Sequence, residues 1–272
     1  MTGTPETSLT TSPQGGVVGI VTAAGSGTRL GLNKPKCFAT LNGRALVELS
    51  VQAMLAGGAD HVVVTAPLGF VSDVVAYMNP LWPVTVVEGS PLSRQASVAA
   101  GLRVAATFNP AIILVHDAAR PLTPPAVVER VINAVRAGHD AVIPALPVTD
   151  TIKEIRPEKD SLTSRLLVKD EATAGRDNDG DVEYVVGTPQ RSTLRAVHTP
   201  QGFRAEVLVA AHEAASERGN DEALAASDDA ALVEWLGRTV SVVPSDPLAM
   251  KVTTRLDLMV AQMLMEDPEA LR

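Results

Sequence analysis

The chain of 272 residues carries a net charge of −8, is 46% hydrophobic but only 3% aromatic, and holds one cysteine, Cys37. A lone thiol excludes an intramolecular disulfide framework and suits a reducing cytoplasm, the acidic balance argues against a general nucleic-acid binder, and no apolar run nears the ~20 residues that span a bilayer. The opening "MTGTPETSLTTSPQGG" lacks the charged and apolar regions of a signal peptide, so residues 1–16 read as a disordered tail and the cytoplasm as the expected location.

From Val17 onward, short apolar runs alternate with segments of helical period. "VVGIVTA" (17–23), "HVVVTA" (61–66), "VTVVEG" (84–89), "IILVHD" (112–117) and "DAVIPAL" (140–146) read as buried strands. Between them, "RALVELSVQAMLAG" (44–57), "SVAAGLRVAATF" (97–108) and "PPAVVERVINAVRAG" (124–138) read as helices, the last opened by Pro124 and Pro125 and closed by Gly138. A core short of aromatics must be built from Val, Leu, Ala and Ile, which suits strands buried on both faces. The pattern predicts an α/β fold, a mostly parallel sheet with helices on both faces. Ligands of such sheets bind at the carboxyl ends of the strands.

The rhythm breaks after Val148. Residues 156–183 are polar and highly charged, flanked by "TIKEI" (151–155) and "EYVVG" (183–187), which read as two strands of an excursion that leaves the sheet and returns. The segment at about 150–195 has too few apolar residues for a core of its own and is expected to be an arm, with a mobile acidic loop at about 158–182. The α/β pattern resumes with helices at 204–218 and 228–237, a strand at 239–245 and a helix at 254–265. One domain over 17–266 is therefore expected, followed by a tail at 267–272.

Chemistry is sought where strands end. The first junction, "TAAGSGTRLGLNKPKCF" (22–38), has Leu30 where a dinucleotide fingerprint wants Gly or Ala, and no G-K-[ST] that would make a P-loop. Instead Arg29, Lys34 and Lys36 follow the glycine turn, with no acid between Glu6 and Glu48, which suits a triphosphate; a solvated basic loop is the alternative. In "EGSPLSRQASVAAGL" (88–102), Arg94 and Ser97 stand at a helix start, where they suit a base or phosphate, although Ser97 alone reads first as an N-cap. In "VHDAARP" (115–121), Asp117 suits Mg²⁺ beside a phosphate site or else a structural bond to backbone, Arg120 balances charge or holds the loop, and His116 reads as a packing or hydrogen-bonding residue. Thr151 and Lys251 follow two further strands, and Arg191 lies on the return from the arm. Cys37 beside Lys36 has grounds for a lowered pKa, but no general base accompanies it, and no metal-ligand spacing of His and Cys is found.

Taken together, "TAAGSGTRL…KPKCF", "SRQASVAAGL", "VHDAARP", "TDTIK", "TPQGF", "SDDAALVE" and "KVTTRLDL" resemble, in type and order, the 2-C-methyl-D-erythritol 4-phosphate cytidylyltransferases of the non-mevalonate isoprenoid pathway. The resemblance runs from about Val17 to Met265. It implies a Rossmann-like nucleotidyltransferase fold with an extended β-arm, a homodimer formed through the arms, and Mg²⁺-dependent transfer of CMP from CTP to 2-C-methyl-D-erythritol 4-phosphate, giving 4-CDP-2-C-methyl-D-erythritol and pyrophosphate. Carried over by motif, it makes Arg29 and Lys36 the transition-state stabilisers. Ala23, Ala24, Gly25, Gly27, Arg94 and Ser97 fall around the nucleotide, and Asp117 at the nucleotide and metal site. Thr151, Arg191 and Lys251 fall to the acceptor phosphate, the first two serving the partner subunit. Two departures stand out: Thr22 where many relatives have Pro, and an arm lengthened by the acidic stretch around 158–182. The rivals are a cytidylyltransferase for another polyol phosphate, such as ribitol 5-phosphate, and a non-catalytic nucleotide-binding protein. Retention of Arg29, Lys36 and Asp117 argues against the latter, and Leu30 argues against a dehydrogenase.

Overall fold

Branched aliphatic residues in runs of five or six build the centre of the molecule. The computed structural model describes residues 15–25, 34–157 and 183–266. Gly27, Arg29, the acidic stretch 158–182, the C-terminal residues 267–272 and most of the expected N-terminal tail lie outside these residues. Two units divide the chain, one of residues 1–146 with 197–272 and one of 147–196.

In the larger unit the strands are β1 (Val17–Thr22), β2 (Thr40–Leu41), β3 (Arg44–Ala45), β4 (His61–Ala66), β5 (Val84–Glu88), β6 (Ile112–Asp117) and β7 (Ala141–Pro147). The smaller unit holds β8 (Glu154–Pro157) and β9 (Glu183–Gly187), β10 (Arg195–Val197) lies at the boundary, and β11 (Gln201–Arg204) and β12 (Val240–Pro244) follow. The helices are α1 (Leu46–Ala56), α2 (Val71–Ala76), α3 (Arg94–Ala105), α4 (Pro125–Arg136), α5 (Ala205–Ala214), α6 (Asp229–Trp235) and α7 (Arg255–Glu266). The main sheet runs β7-β11-β6-β1-β4-β5, with β12 also paired to β7. Its pairs are parallel except those of β11, which is antiparallel to both β6 and β7.

Side chains alternate across a strand, and the two faces bury different halves of each run. Val17, Val21, Val62, Val64, Ile112 and Leu114 pack with α1 and α4, while Val18, Ile20, Val63, Ile113 and Val115 pack with α3, α5 and α6. Ile20, Ile112, Ile113 and Leu114 are wholly buried, and each such side chain contributes about 1.5–3 kcal/mol. The sheet centre is thus a stiff frame. Register then sets the site: Thr22 stands opposite both Thr65 and Asp117, so β1, β4 and β6 end level.

One close approach fixes the helices of one layer. At Gly57, the C-cap of α1, an added Cβ would lie 2.4 Å from Val128 Cβ and 2.9 Å from Pro125 O. Gly57→Ala is expected to cost about 1–3 kcal/mol by overpacking α1 against α4. A denaturant midpoint equal to that of the parent would show that the two helices part freely.

The strands β2, β3, β10 and β11 and the helix α2 are not among the elements expected from the sequence. The segment from Arg44 was expected to be helical at once, but Asn42 (φ 48°) and Gly43 (φ 77°) make a tight turn between β2 and β3, and the helix begins at Leu46. Asn-Gly is a strong hairpin signal. β11 was not foreseen at all: it is four residues long, with Phe203 its only large apolar residue, and its identity as a strand comes from the edges of β6 and β7.

Within the smaller unit, β8 and β9 pair antiparallel from Glu154↔Gly187 to Pro157↔Glu183; the strand expected at 151–155 begins only at Glu154. Lys153 Nζ donates to Thr188 Oγ1 at 2.7 Å, and Arg191 Nη1 donates to the Thr149 carbonyl at 2.6 Å.

Candidate functional site

Asp117 closes β6, and its carboxylate gathers the charges at the level ends of the strands. Oδ1 accepts from Arg94 Nε at 3.2 Å and from Thr22 Oγ1 at 3.4 Å, and Oδ2 lies 2.8 Å from Lys251 Nζ. Burial raises the pKa of this carboxyl, but Arg94, then Lys251, outweigh it and hold the group well below the usual carboxylate range. Asp117 is therefore ionised. Arg94 reaches further, donating Nη1 to Asp229 Oδ2 at 2.7 Å. Lys251 is the most exposed member, at 44%.

The supports of this cluster are buried. Arg120 Nη1 donates to Ala249 O at 2.7 Å and Nη2 to Val197 O at 3.3 Å, while Val252 N–H donates to Ala119 O at 2.8 Å. Arg120 thus holds the loop that carries Lys251, and its charge also helps to keep Asp117 ionised, so it fills both expected roles. His116 Nε2 faces the Arg120 carbonyl at 3.3 Å, so Nε2 carries the proton, and Nδ1 accepts from Thr199 Oγ1 at 2.8 Å. The same Thr199 oxygen accepts the Asp117 N–H at 3.1 Å. Burial pushes His116 down to about 4, so the ring is a neutral spacer that fixes Thr199 and through it Asp117. His116 is a hydrogen-bonding residue, as expected.

The nucleotide side is formed by two loops. Ala23 N–H donates to Thr65 O, and Gly89 N–H to Ala66 O, bringing the loop after β5 against the loop after β1. A Cβ on Gly89 would lie 2.8 Å from Ala24 Cβ, so only glycine permits that approach. Ala24 is half-buried and Gly25 exposed. The α3 N-cap is Ser93, whose Oγ accepts from Ala96 N–H, and not Ser97. Ser97 lies inside the helix, buried, with Oγ 2.9 Å from Ser90 O and accepting Ser90 N–H at 3.1 Å. Its hydroxyl shapes the Gly89–Ser90 backbone from behind.

Lys36 opens a short turn of 3₁₀ helix, Lys36–Phe38, and is half-buried, while Cys37 and Phe38 are buried beneath it. Burial pushes the Cys37 thiol up to about 12, which overturns the idea of a thiol activated by its neighbour. The native protein is expected to resist alkylation by iodoacetamide at neutral pH and to react once unfolded; rapid labelling of the folded state would contradict the burial.

Of the expected site residues, Arg94, Asp117 and Lys251 make direct contact, Ser97 lies one turn along the helix from Arg94, and Ala23, Ala24 and Gly25 leave β1 level with Asp117. Thr151 and Arg191 belong to the smaller unit, where Thr151 is exposed. Gly27 and Arg29 lie outside the described residues. The sequence reading assigned no role to Thr199, Gln201, His212 or Asp229, although "TPQGF" and "SDDAALVE" contain three of them. Among the described residues, no three His, Cys, Asp or Glu side chains converge as a metal cage. The arrangement, one ionised carboxylate flanked by two cations beside glycine-bearing loops, suits phosphate groups.

Comparison with known proteins gives one family. A family model described as 2-C-methyl-D-erythritol 4-phosphate cytidylyltransferase matches residues 17–163 and 157–267. Proteins of that name from Nocardia farcinica and Rhodococcus jostii are 43% and 44% identical over 258 and 257 residues, covering 94% and 93% of this chain and 97% of each relative. The crystal structure of the Thermus thermophilus protein of that name has a TM-score of 0.66 at 31% identity, covering 92% of this chain and 98% of that one. A 4-diphosphocytidyl-2C-methyl-D-erythritol synthase from Anaerococcus prevotii shares the fold, with a TM-score of 0.70 at 24% identity, covering 93% and 96%.

Proposed function

The chain belongs to the 2-C-methyl-D-erythritol 4-phosphate cytidylyltransferase family, and from that premise we propose how its own residues carry the reaction. The enzyme transfers CMP from CTP to 2-C-methyl-D-erythritol 4-phosphate, giving 4-CDP-2-C-methyl-D-erythritol and pyrophosphate. An oxygen of the acceptor phosphate attacks the α-phosphorus of CTP, and the bond to the pyrophosphate oxygen breaks. A phosphate monoester with a second pKa of about 6 is already mostly dianionic at neutral pH, so no general base is required. The barrier is the approach of two anions and the charge that develops at the α-phosphate. Positioned cations meet both.

In this reading Arg29 and Lys36 stabilise the α-phosphate. The backbone of Ala23, Ala24, Gly25 and Gly27, with Arg94 and the loop braced by Ser97, holds the nucleotide. Lys251 neutralises the acceptor phosphate, with Thr151 and Arg191 supplied by the arm of a partner subunit. Asp117 fits Mg²⁺: it is an ionised oxygen ligand at a strand end, and Mg²⁺ takes one or two carboxylates beside phosphate oxygens. Bound there, Mg²⁺ would neutralise charge on the triphosphate. The observation that carries the reading is the Arg94–Asp117–Lys251 contact at the level ends of β1, β4 and β6.

Exposed Ile155, Tyr184, Val185 and Val186 on the β8–β9 hairpin support a homodimer through the arm. Sedimentation of the whole chain as a monomer at micromolar concentration would overturn that. A cytoplasmic location is proposed from the single buried thiol; no helix of the described residues is long and apolar enough to cross a membrane.

The deciding experiment is pyrophosphate release with CTP, UTP, ATP and GTP, each paired with methylerythritol phosphate or ribitol 5-phosphate, with and without Mg²⁺. Turnover is expected with CTP and methylerythritol phosphate in the presence of the metal. Turnover with ribitol 5-phosphate alone would contradict the acceptor, and undiminished turnover in EDTA would contradict the metal.

A further inference from the structure

The motif "SDDAALVE" contains two adjacent aspartates, and the structure gives them different tasks. Asp228 caps α6: its Oδ1 accepts Ala231 N–H at 3.0 Å, and its Oδ2 accepts from Gln201 Nε2 at 2.7 Å. Asp229 turns inward. Its Oδ2 accepts Arg94 Nη1 at 2.7 Å, its Oδ1 accepts His212 Nε2 at 2.9 Å, and its amide donates to Gln201 Oε1 at 3.2 Å. The Asp229 side chain is 1% exposed.

Arg94 therefore bridges two carboxylates of unequal character. Asp117 stands at the strand ends, shared with Lys251, and meets Arg94 through the longer contact, 3.2 Å. Asp229 is enclosed and pinned on both oxygens and on its backbone. We propose that Asp229 is a positioning residue for the transfer reaction: it anchors Arg94 in the nucleotide site while Asp117 exchanges partners. The proposal rests on the placement of Arg94 and Asp117 at that site.

The physical reason is a difference in the cost of separation. An incoming triphosphate reaches Asp117 and its cations first, because Asp117 borders the loops. Separating Arg94 from Asp229 would strand a carboxylate that water does not reach, which is more costly than opening the pair with Asp117, whose carboxylate is 10% exposed and keeps Lys251. The guanidinium is a rigid fork of five donors. With Nη1 held by Asp229, its remaining donors stay aimed at the site when Asp117 lets go. His212 completes the anchor by donating to the second Asp229 oxygen, and its Nδ1, also buried, has no hydrogen-bond partner among the described residues. His212 is thus committed to Asp229 alone.

The test is a double-mutant cycle on the full-length enzyme, read by steady-state pyrophosphate release with CTP and methylerythritol phosphate varied in turn. Asp229→Asn is expected to raise the KM for CTP by about tenfold or more, with the KM for the acceptor unchanged. In an Arg94→Ala background the same change is expected to have no further effect on the KM for CTP. His212→Phe, a milder change, is expected to give a smaller rise that also vanishes with Arg94→Ala, and it serves if Asp229→Asn does not fold. A loss in kcat and melting temperature at constant KM would overturn the proposal, as would an equal effect in both backgrounds. If Arg94→Ala alone leaves the KM for CTP at its parental value, the placement of Arg94 fails as well. If Arg94→Ala raises it and Asp229→Asn and His212→Phe do not, only the anchoring role fails.

Discussion

Lys36→Ala is expected to lower kcat by about 10²–10³-fold, the usual cost of removing one charge-stabilising donor from a reaction centre. The loss should fall on kcat more than on either KM, because charge at the α-phosphate grows chiefly in the transition state. Stability should change by less than about 1 kcal/mol. The turn that carries Lys36 is fastened by its neighbours: Cys37 and Phe38 are buried, and the Phe38 ring lies 5.7 Å from those of Phe70 and Tyr77. Truncating the lysine leaves that packing in place. Lys36→Arg is expected to recover only part of the rate, since a planar fork does not reproduce a compact ammonium. Near-normal turnover of a folded Lys36→Ala enzyme would remove Lys36 from the mechanism.

Asp117→Asn is expected to reduce kcat/KM at least as strongly and, unlike Lys36→Ala, to destabilise the fold. The carboxylate neutralises two cations at once, and its loss should cost about 3 kcal/mol, the low end for a broken buried pair. The cost is not higher because Lys251 is 44% exposed and Arg94 keeps Asp229. The pH dependence carries a sign. The folded Asp117 carboxyl titrates below its unfolded value, so the unfolded chain binds more protons as the pH falls below about 4, and stability is lost with acid there. His116, held down to about 4 when folded, adds an earlier decline that starts as the pH falls through about 6.5, because the unfolded imidazole takes up a proton first. Asp117→Asn should therefore flatten the steep part below pH 4 and leave the decline between about 6.5 and 4. Denaturant titrations across pH measure both. An unchanged slope below pH 4 would show that the Asp117 ion pairs contribute little.

The two variants separate jobs that the geometry also separates. Lys36 stands on a turn fastened from below by the buried Cys37 and Phe38. Asp117 is itself part of the fastening, tied through its backbone to Thr199 and through its carboxylate to two cations. A site of this kind needs no proton relay among its buried groups. The neutral His116 and the inert Cys37 are consistent with that, since each is held in its uncharged form by burial.

By itself, the sequence determined the local elements and the places to look. The runs "HVVVTA" and "IILVHD" coincide residue for residue with β4 and β6, and "EYVVG" with β9, because a strand's signal lies in neighbours a few residues apart. The rule that ligands gather at strand ends then led to Asp117, Arg94 and Lys251. Tertiary structure alone decided what joins them. Arg94 and Asp229 are 135 residues apart in the chain, and Thr199 reaches Asp117 across 82. No local period encodes such pairs; they exist because β11 inserts antiparallel beside β6 and places Gln201 under the first turn of α6. The cap of α3 shows the same limit at short range. Ser93 and Ser97 have equal claims by residue type, and only the packing of the Gly89–Ser90 loop gives the cap to one and turns the other inward.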